Sequence, residues 1–269
     1  AQIGTTRDFG VQFWQPLGAG NPWYIAPTLQ YTSSAVDLFD KGRRSARMAY
    51  RGHGASLVLG RQFGYWGDLQ VGVTRSEVKG SVVIPAAPGV PEERALGTNQ
   101  FVQFRVDTLD GTGFPTRGVL FDATWMHSPS PGVGEAGLGR SAVTALKAFG
   151  RGNWAGHVYG EWARAQHGEA PLSLGGFLRL SGTQFESVTG RSVALARVVM
   201  ARRIGSLPAT FGGAVRAGFS LEMGGGFDQS ERWKASKFTQ AASAFISVDT
   251  RFGPVYVAGG ASKGGERAE

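Results

Sequence analysis

The chain contains no cysteine, and charged residues make up only 18% of its 269 positions, below the roughly 25% that is typical of soluble domains. The lack of cysteine excludes a disulfide scaffold and is compatible with a protein that crosses an oxidising periplasm. No apolar run approaches the roughly 18 residues that a transmembrane helix needs. The first residues, AQIGTTRDFG, carry neither the basic nor the apolar segment of a signal peptide. The chain is therefore either cytosolic or one whose leader has been removed.

Acidic residues are also scarce relative to basic ones. Lysine and arginine together number 28 against 20 aspartates and glutamates, which gives a formal net charge of +8. An excess of this size points to an anionic partner, either nucleic acid or anionic lipid. Because the basic residues lie on strand faces and at strand ends, without a basic helix or an RNA-binding motif, the sequence predicts no nucleic-acid partner.

Helical spacing is hard to find, and alternation with a period of two takes its place. The stretch AVRAGFSLEM, for example, sets Val215, Phe219 and Leu221 on one face and Arg216 and Glu222 on the other. Such alternation is typical of strands with one apolar face. It predicts about twelve strands, near residues 6–17, 21–34, 44–63, 66–80, 98–110, 116–128, 139–151, 153–166, 191–204, 212–224, 236–252 and 254–262. Most are about ten residues or longer, which is the length that crosses a bilayer.

The two faces of these strands differ in kind. One is apolar, and we expect it to face lipid; its members are Phe9, Val11, Phe13, Leu69, Val71, Val73, Phe104, Phe121, Trp125, Val215, Phe219, Leu221, Ile246 and Val248. The other is small, glycine-rich and mixed in charge, as a wet barrel lumen requires; its charged members are Arg105, Asp107, Asp122, Lys147, Glu161, Arg197, Arg216, Glu222 and Asp249. Aromatic residues cluster near strand ends, as interfacial girdles do; they are Trp23, Tyr24, Tyr65, Trp66 and Trp154.

The links between the strands fit the same architecture. Some are short turns, such as 150–153 and 251–254, while others are long and polar, such as 84–99. Short turns at one end and long loops at the other are typical of outer-membrane barrels. The sequence therefore predicts an all-β fold, an antiparallel transmembrane β-barrel in the bacterial outer membrane. A large soluble β-sandwich or a lipocalin-like barrel is the alternative.

Several motifs resemble known proteins. The stretch VQFWQPLGAGNPWYIAPTLQY at 11–31 looks like a hairpin of the bacterial surface antigen family, whose barrels belong to the outer-membrane assembly-factor and two-partner-secretion superfamily. Further motifs, in order along the chain, closely resemble the C-terminal barrel of patatin-like phospholipase autotransporters. These are PLSLGGFLRLSGTQF at 171–185, ALARVVMARRIG at 194–205, GFSLEMGG at 218–225 and VDTRFGPVYVAGGASKGG at 248–265.

The resemblance implies a single barrel domain over residues 1–269, with about sixteen strands in the full protein. We expect the chain to be truncated at both ends, because AQIGTTRD and ASKGGERAE are polar and read as parts of hairpins. The missing parts would be strands at each end, a periplasmic POTRA domain and an N-terminal patatin-like lipase. The implied function is to anchor or translocate that lipase in the manner of type V secretion. A passive diffusion porin is the alternative function.

The resemblance also implies a long loop that folds into the lumen, here residues 168–190. The loop segment PLSLGGFLRLSGTQF holds one charge, Arg179, in an otherwise apolar and glycine-rich run. The superfamily tip is Arg-Gly-aromatic, whereas Arg179 is followed by Leu-Ser-Gly, which ends at Gly182. We expect the Arg179 guanidinium to pair with an inward carboxylate on a following strand, Glu222 in the first place and Asp249 in the second, and so to anchor the loop.

Motifs for catalysis are weak. The stretch GASKG at 260–264 fits the nucleophile elbow of serine hydrolases, which requires a strand–turn–helix context. The stretch GVGEAG at 132–137 fits a dinucleotide-binding loop, but no helix follows it. The four histidines show no spacing of metal ligands. We therefore expect no catalytic site, metal or cofactor in this chain. Expected partners are outer-membrane lipid, lipopolysaccharide, and the chain's own passenger and periplasmic domain, with a homodimer left open.

Overall fold

The computed structural model describes residues 6–40, 43–84, 93–111, 113–129, 138–166, 171–208, 213–228, 237–250 and 253–263. Its regular structure in these residues is β-sheet, with strands bounded as follows. They are β1 (Thr6–Gln12), β2 (Gln15–Pro16), β3 (Trp23–Asp40), β4 (Arg43–Phe63), β5 (Gly67–Ile84), β6 (Glu93–Asp107), β7 (Val119–Ser128), β8 (Leu138–Arg151), β9 (Trp154–Ala165), β10 (Leu172–Leu174), β11 (Val188–Gly190), β12 (Ser192–Ser206), β13 (Ala214–Phe227), β14 (Thr239–Thr250) and β15 (Gly253–Lys263). Among the described residues, no helix has the length and apolarity needed to cross a membrane.

The described strands form a 13-stranded antiparallel sheet whose order follows the chain, and a separate two-stranded hairpin of β10 and β11. All twelve strands that the alternation predicts are confirmed, with ends that shift by a few residues. The largest shift is in β3, which runs from Trp23 to Asp40 rather than from 21 to 34. The hairpin β10–β11 has no counterpart in the prediction, because each of its strands has only three residues, too few for a period of two to show.

The chain divides into two compact units. The first comprises residues 1–64, 68–103 and 126–138, and the second comprises residues 65–67, 104–125 and 139–269. The first unit contains β1, β3 and β4, which pair as antiparallel neighbours. The second contains β8, β9 and β12–β15, which likewise pair in antiparallel register.

In the first unit, the apolar side chains of β1 point outward and a small core forms on the opposite side of the sheet. Phe9 and Val11 are 61% and 54% exposed. Tyr24 is buried with Ala26 and Val58, and its hydroxyl donates a hydrogen bond of 2.7 Å to Asp68. The prediction that Tyr24 joins an interfacial girdle is therefore wrong. Its ring lies over Gly60, where any Cβ would overlap the ring, and so the phenol turns inward.

In the second unit, the register of the strands defines two faces. The apolar face carries one set of alternate residues, which includes Val158, Val198, Phe219, Leu221 and Ile246, all of them exposed. The polar face carries the other set, which is buried and includes Ser220, Glu222, Ser243 and Ser247. A sheet with exposed apolar side chains and buried polar ones is the inverse of a soluble protein, because lipid replaces water outside.

The predicted lipid face is confirmed as exposed at most of its positions, namely Phe9, Val11, Phe13, Val71, Val73, Trp125, Phe219, Leu221 and Ile246. The remaining members are half-buried, namely Leu69, Phe104, Phe121, Val215 and Val248. The prediction is wrong for one member of the polar face, Lys147. Lys147 pairs with Val158 and is exposed on the apolar face, because Ala148, its neighbour on β8, turns to the buried side.

The apolar face of the second unit has the height of a bilayer. On β12 the alternate residues from Ala194 to Met200 are uncharged, and Ser192 and Arg202 stand at the two ends of this series. The two ends are ten positions apart along β12, which corresponds to about 25 Å of membrane thickness for a strand tilted by about 40–45°. The apolar band therefore matches the hydrocarbon layer.

We predict that an arginine costs more at the centre of this band than at its edge. Leu221→Arg should lower the free energy of unfolding in lipid vesicles by about 2–4 kcal/mol, because Leu221 lies near the middle of β13. Val215→Arg, at the end of the same strand and on the same face, should lower it by about 0–1 kcal/mol. Urea titration of the two variants in vesicles measures both values, and equal costs would contradict the membrane orientation.

Candidate functional site

The loop between β9 and β12 lies against the polar face of the second unit. It is described from residue 171, so that residues 168–170 of the predicted loop lie outside the described residues. The hairpin β10–β11 forms its stem, with Leu172 opposite Gly190. Leu174 and Leu180 are buried in one apolar cluster with residues of β9, β12 and β14, so the loop turns inward over the sheet.

Glu222 on β13 holds the tip of this loop. Its Oε2 accepts hydrogen bonds from the backbone amides of Leu180 and Ser181, at 2.6 and 2.8 Å. Its Oε1 accepts the hydroxyls of Ser181 and Ser220, at 2.7 and 2.5 Å. A carboxylate offers about four acceptor sites, and all are used here. Since Glu222 is only 4% exposed, these donors replace the water that the buried charge has lost.

The backbone of the tip is shaped to point its amides at this carboxylate. Leu178 and Leu180 have φ angles of 59° and 78°, in the left-handed region that non-glycine residues seldom adopt. Successive amides in such a conformation converge and form an anion-binding concavity. Gly182 has a φ of 86°, and a Cβ there would lie 2.6 Å from the Cα of Ala261 on β15. Glycine is therefore required where the tip passes the last strand.

A second contact ties the loop to β12. The Arg197 guanidinium donates a hydrogen bond of 2.5 Å to the carbonyl of Leu178 and lies 4.2 Å from the ring centroid of Tyr159. Arg197 is opposite Glu222 in the β12–β13 register. The opposite charges of these cross-strand neighbours compensate each other in a place shielded from water.

Arg179 pairs with Glu161, and the predicted pairing with Glu222 or Asp249 is wrong. Its guanidinium donates a hydrogen bond of 2.5 Å to Glu161 Oε1, while Glu161 Oε2 accepts the Tyr159 hydroxyl at 3.0 Å. Glu222 is unavailable because loop amides and hydroxyls occupy both its oxygens. The Arg179 side chain is 44% exposed, so the ion pair is screened and contributes roughly 1 kcal/mol or less.

Asp249 has a different partner and a different place. It accepts a hydrogen bond from Arg216, close to the Thr250 end of β14. Nearby, an aromatic cluster joins the loop to the polar face. Its rings belong to Phe114, Phe177, Phe245 and Tyr256, with centroids 5.4–6.3 Å apart.

Sequence reasoning missed the two residues that complete the anchor, Glu161 and Arg197. Alternation predicts both on the polar face, but the sequence analysis expects the partner of Arg179 only on strands that follow the loop. Glu161 lies on β9, which precedes it. The pattern alone could not indicate that backbone amides rather than a guanidinium would bind Glu222.

The weak catalytic motifs find no supporting geometry among the described residues. Gly260 to Lys263 of the GASKG stretch lie within β15, and 132–137 lies outside the described residues. In the described part of the chain, no group of three or more histidine, aspartate or glutamate side chains is arranged to hold a metal.

Comparison with known proteins gives matches in structure alone. No protein-family model matches the chain, and no curated protein is similar to it in sequence. BamA from Haemophilus ducreyi, solved without POTRA domains 1–3, matches with a TM-score of 0.73 at 12% identity, over 98% of this chain and 60% of that chain. CdiB from Escherichia coli matches with a TM-score of 0.66 at 16% identity, over 96% of this chain and 49% of that one.

This chain has the fold of an outer-membrane β-barrel. CdiB from Acinetobacter baumannii also matches, with a TM-score of 0.56 at 11% identity, over 96% of this chain and 50% of that one. The chain thus spans about half to three-fifths of the length of these solved chains. The exposed apolar face, the buried polar face and these matches agree on the all-β barrel fold and on location in the outer membrane.

We predict that Glu222→Gln loosens the loop. The change removes the charge that strengthens four hydrogen bonds and turns one acceptor into a donor, at roughly 1.5–3 kcal/mol for each charged bond lost. Hydrogen exchange at the amides of Leu180 and Ser181 should become at least about tenfold faster. Glu186→Gln, an exposed carboxylate of the same loop, is the control and should leave exchange unchanged. Unchanged exchange in Glu222→Gln would show that the tip does not depend on this charge.

A double-mutant cycle separates the partners of Arg179. Arg179→Ala combined with Glu161→Gln should show a coupling energy of about 0.5–1 kcal/mol in loop opening. The cycle of Arg179→Ala with Glu222→Gln should show a smaller one, since the structure places the guanidinium on Glu161. Loop opening is measured by hydrogen exchange. A stronger coupling of Arg179 to Glu222 than to Glu161 would contradict the observed pair and support the pairing expected from the sequence.

Proposed function

We propose that this chain is an outer-membrane barrel that carries or inserts a polypeptide across the membrane, under the control of the anchored loop. The observation that carries the proposal is the loop 171–190 held on the polar face, which becomes the lumen in a barrel. The barrels that it resembles include BamA and CdiB. The support for function comes from the anchor, because similarity at 11–16% identity speaks for the fold alone.

The passive porin is the less favoured candidate. A diffusion pore needs an open lumen lined with charged rings. In the second unit, loop residues bind the charged side chains of Glu161, Arg197 and Glu222, and Leu180 and Ser181 of the loop are almost fully buried. A loop fixed by a saturated carboxylate and an aromatic cluster obstructs diffusion, whereas a loop that can be released suits a gated passage for a polypeptide.

The finer proposal concerns the passenger. The motifs that resemble those of patatin-like phospholipase autotransporters support the proposal of an N-terminal patatin-like lipase, joined through a periplasmic POTRA domain and anchored or exported by this barrel. In that arrangement the barrel itself is not an enzyme, and the lipase serine lies upstream. Membrane lipid and lipopolysaccharide would surround the apolar face, and a second copy could pair with it.

Ion conductance of the purified barrel in planar bilayers tests the gating proposal. Wild-type protein should pass small currents, because the loop obstructs the lumen. Glu161→Gln combined with Glu222→Gln should raise the mean conductance at least about twofold by freeing the loop, while Glu186→Gln should not. Large steady wild-type currents that the double variant leaves unchanged would favour the porin.

The passenger is tested separately. The coding sequence upstream of residue 1 should encode a POTRA domain and a domain with the Gly-x-Ser-x-Gly motif of patatin-like lipases. A different upstream domain would contradict the lipase proposal and would leave the proposal of a gated barrel unaffected.

A further inference from the structure

A row of cations flanks a tryptophan on the apolar face of the second unit. Arg151 ends β8, Trp154 begins β9, and the β-ladder registers pair Trp154 with Arg151 on one side and with Arg202 on the other. All three side chains are exposed. The guanidinium carbon of Arg202 lies 5.9 Å from the Trp154 ring centroid. The row borders the two-residue turn 152–153 and so lies at one edge of the apolar band.

The charges of this row are not neutralised within the described part of the chain. No described carboxylate forms a salt bridge with Arg151 or Arg202, although five other arginines form such pairs. The next residues inward on the same face are Phe149, Gly156 and Met200, which are uncharged. Two guanidiniums therefore keep their donors available at the level of the membrane interface.

Lys147 adds a third cation close to this row. It is exposed on the apolar face, four residues inward from Arg151 along β8. Four residues correspond to about 13 Å along a strand and to about 10 Å of membrane depth after tilting. A lysine on a lipid-facing surface is unfavourable unless its ammonium reaches the interface or an anion. The row of Arg151, Trp154 and Arg202 lies at the edge of the apolar band towards which the Lys147 ammonium must extend to leave the hydrocarbon.

An apolar surface adjoins the row on its hydrocarbon side. A Cβ on Gly156 would lie 2.7 Å from the sulfur of Met200 and 2.9 Å from a ring carbon of Phe149. The absence of a side chain at Gly156 therefore lets Phe149 and Met200 approach each other. Together they form a continuous surface directly beside the cations, of the kind on which an acyl chain packs.

We propose that Lys147, Arg151 and Arg202, with Trp154, bind the phosphodiester headgroup of one anionic phospholipid, whose acyl chains lie over Phe149 and Met200. Guanidinium groups fit phosphate oxygens with two parallel hydrogen bonds, and tryptophan is favoured at the headgroup level. The proposal commits to a lipid, because the cations continue into an apolar surface. Short turns mark the periplasmic end of such barrels, where the leaflet is phospholipid. The proposal rests on the outer-membrane location and not on the proposed translocation.

Native mass spectrometry of the barrel released from nanodiscs with equal phosphatidylglycerol and phosphatidylcholine tests this site. Wild-type protein should retain phosphatidylglycerol about tenfold or more over phosphatidylcholine, since each cation near a membrane surface contributes roughly fivefold. The triple variant Lys147→Gln, Arg151→Gln, Arg202→Gln should lose this preference. In each single variant the preference for phosphatidylglycerol should fall about two- to fivefold. The single variants replace the triple variant if the latter does not fold, which is checked by the change in its gel mobility on heating.

The matched control removes the same charge elsewhere. Arg75→Gln, Arg164→Gln and Lys263→Gln together delete three exposed cations and should keep the wild-type preference. Equal retention of the two lipids by wild-type protein overturns the proposal. Loss of preference in the control also overturns it, because general surface charge would then be sufficient. Displacement of phosphatidylglycerol by excess inorganic phosphate would point to a free-phosphate site instead and reject the lipid.

Discussion

The buried carboxylate of Glu222 is the interaction on which the arrangement of the polar face depends. A carboxylate that is 4% exposed must have its acceptor sites filled, and removing a donor leaves a charge without compensation. Two of its donors are backbone amides of the loop. The sheet therefore requires the loop, and the loop requires a backbone that turns both amides to one side.

Other features of the second unit follow from this requirement. The tip needs left-handed φ angles at Leu178 and Leu180, which cost of order 1–3 kcal/mol each. Burial of the Leu180 side chain in the apolar cluster offsets part of that cost, at roughly 1.5–3 kcal/mol for a leucine. Small residues make room for the tip, since a Cβ on Gly260 would lie 2.7 Å from the Cβ of Ser181.

Most of the fold could be predicted from the sequence, because a period of two is a local property. The side chains of each strand must alternate between lipid and the barrel interior, so the strands and the lipid face are evident without knowledge of the fold. The prediction is wrong at Lys147 because charge alone does not identify the polar face. A lysine long enough to reach the interface can occupy the apolar face as well.

The partners within the site could not be predicted, because they depend on contacts between distant segments. Arg179 is the one charge in an apolar run, and a lone charge of this kind favours its guanidinium as the anchor of the loop. In the structure the residue after Arg179, Leu180, fixes the tip instead. With a leucine whose side chain is fully buried, the tip is fixed from below, and its amides reach Glu222. The guanidinium is then free to turn back to Glu161 on the preceding strand. The carboxylate that Arg179 meets is therefore set by the burial of Leu180 and by the backbone amides that bind Glu222, and the alternation of side chains along a strand indicates neither of these contacts.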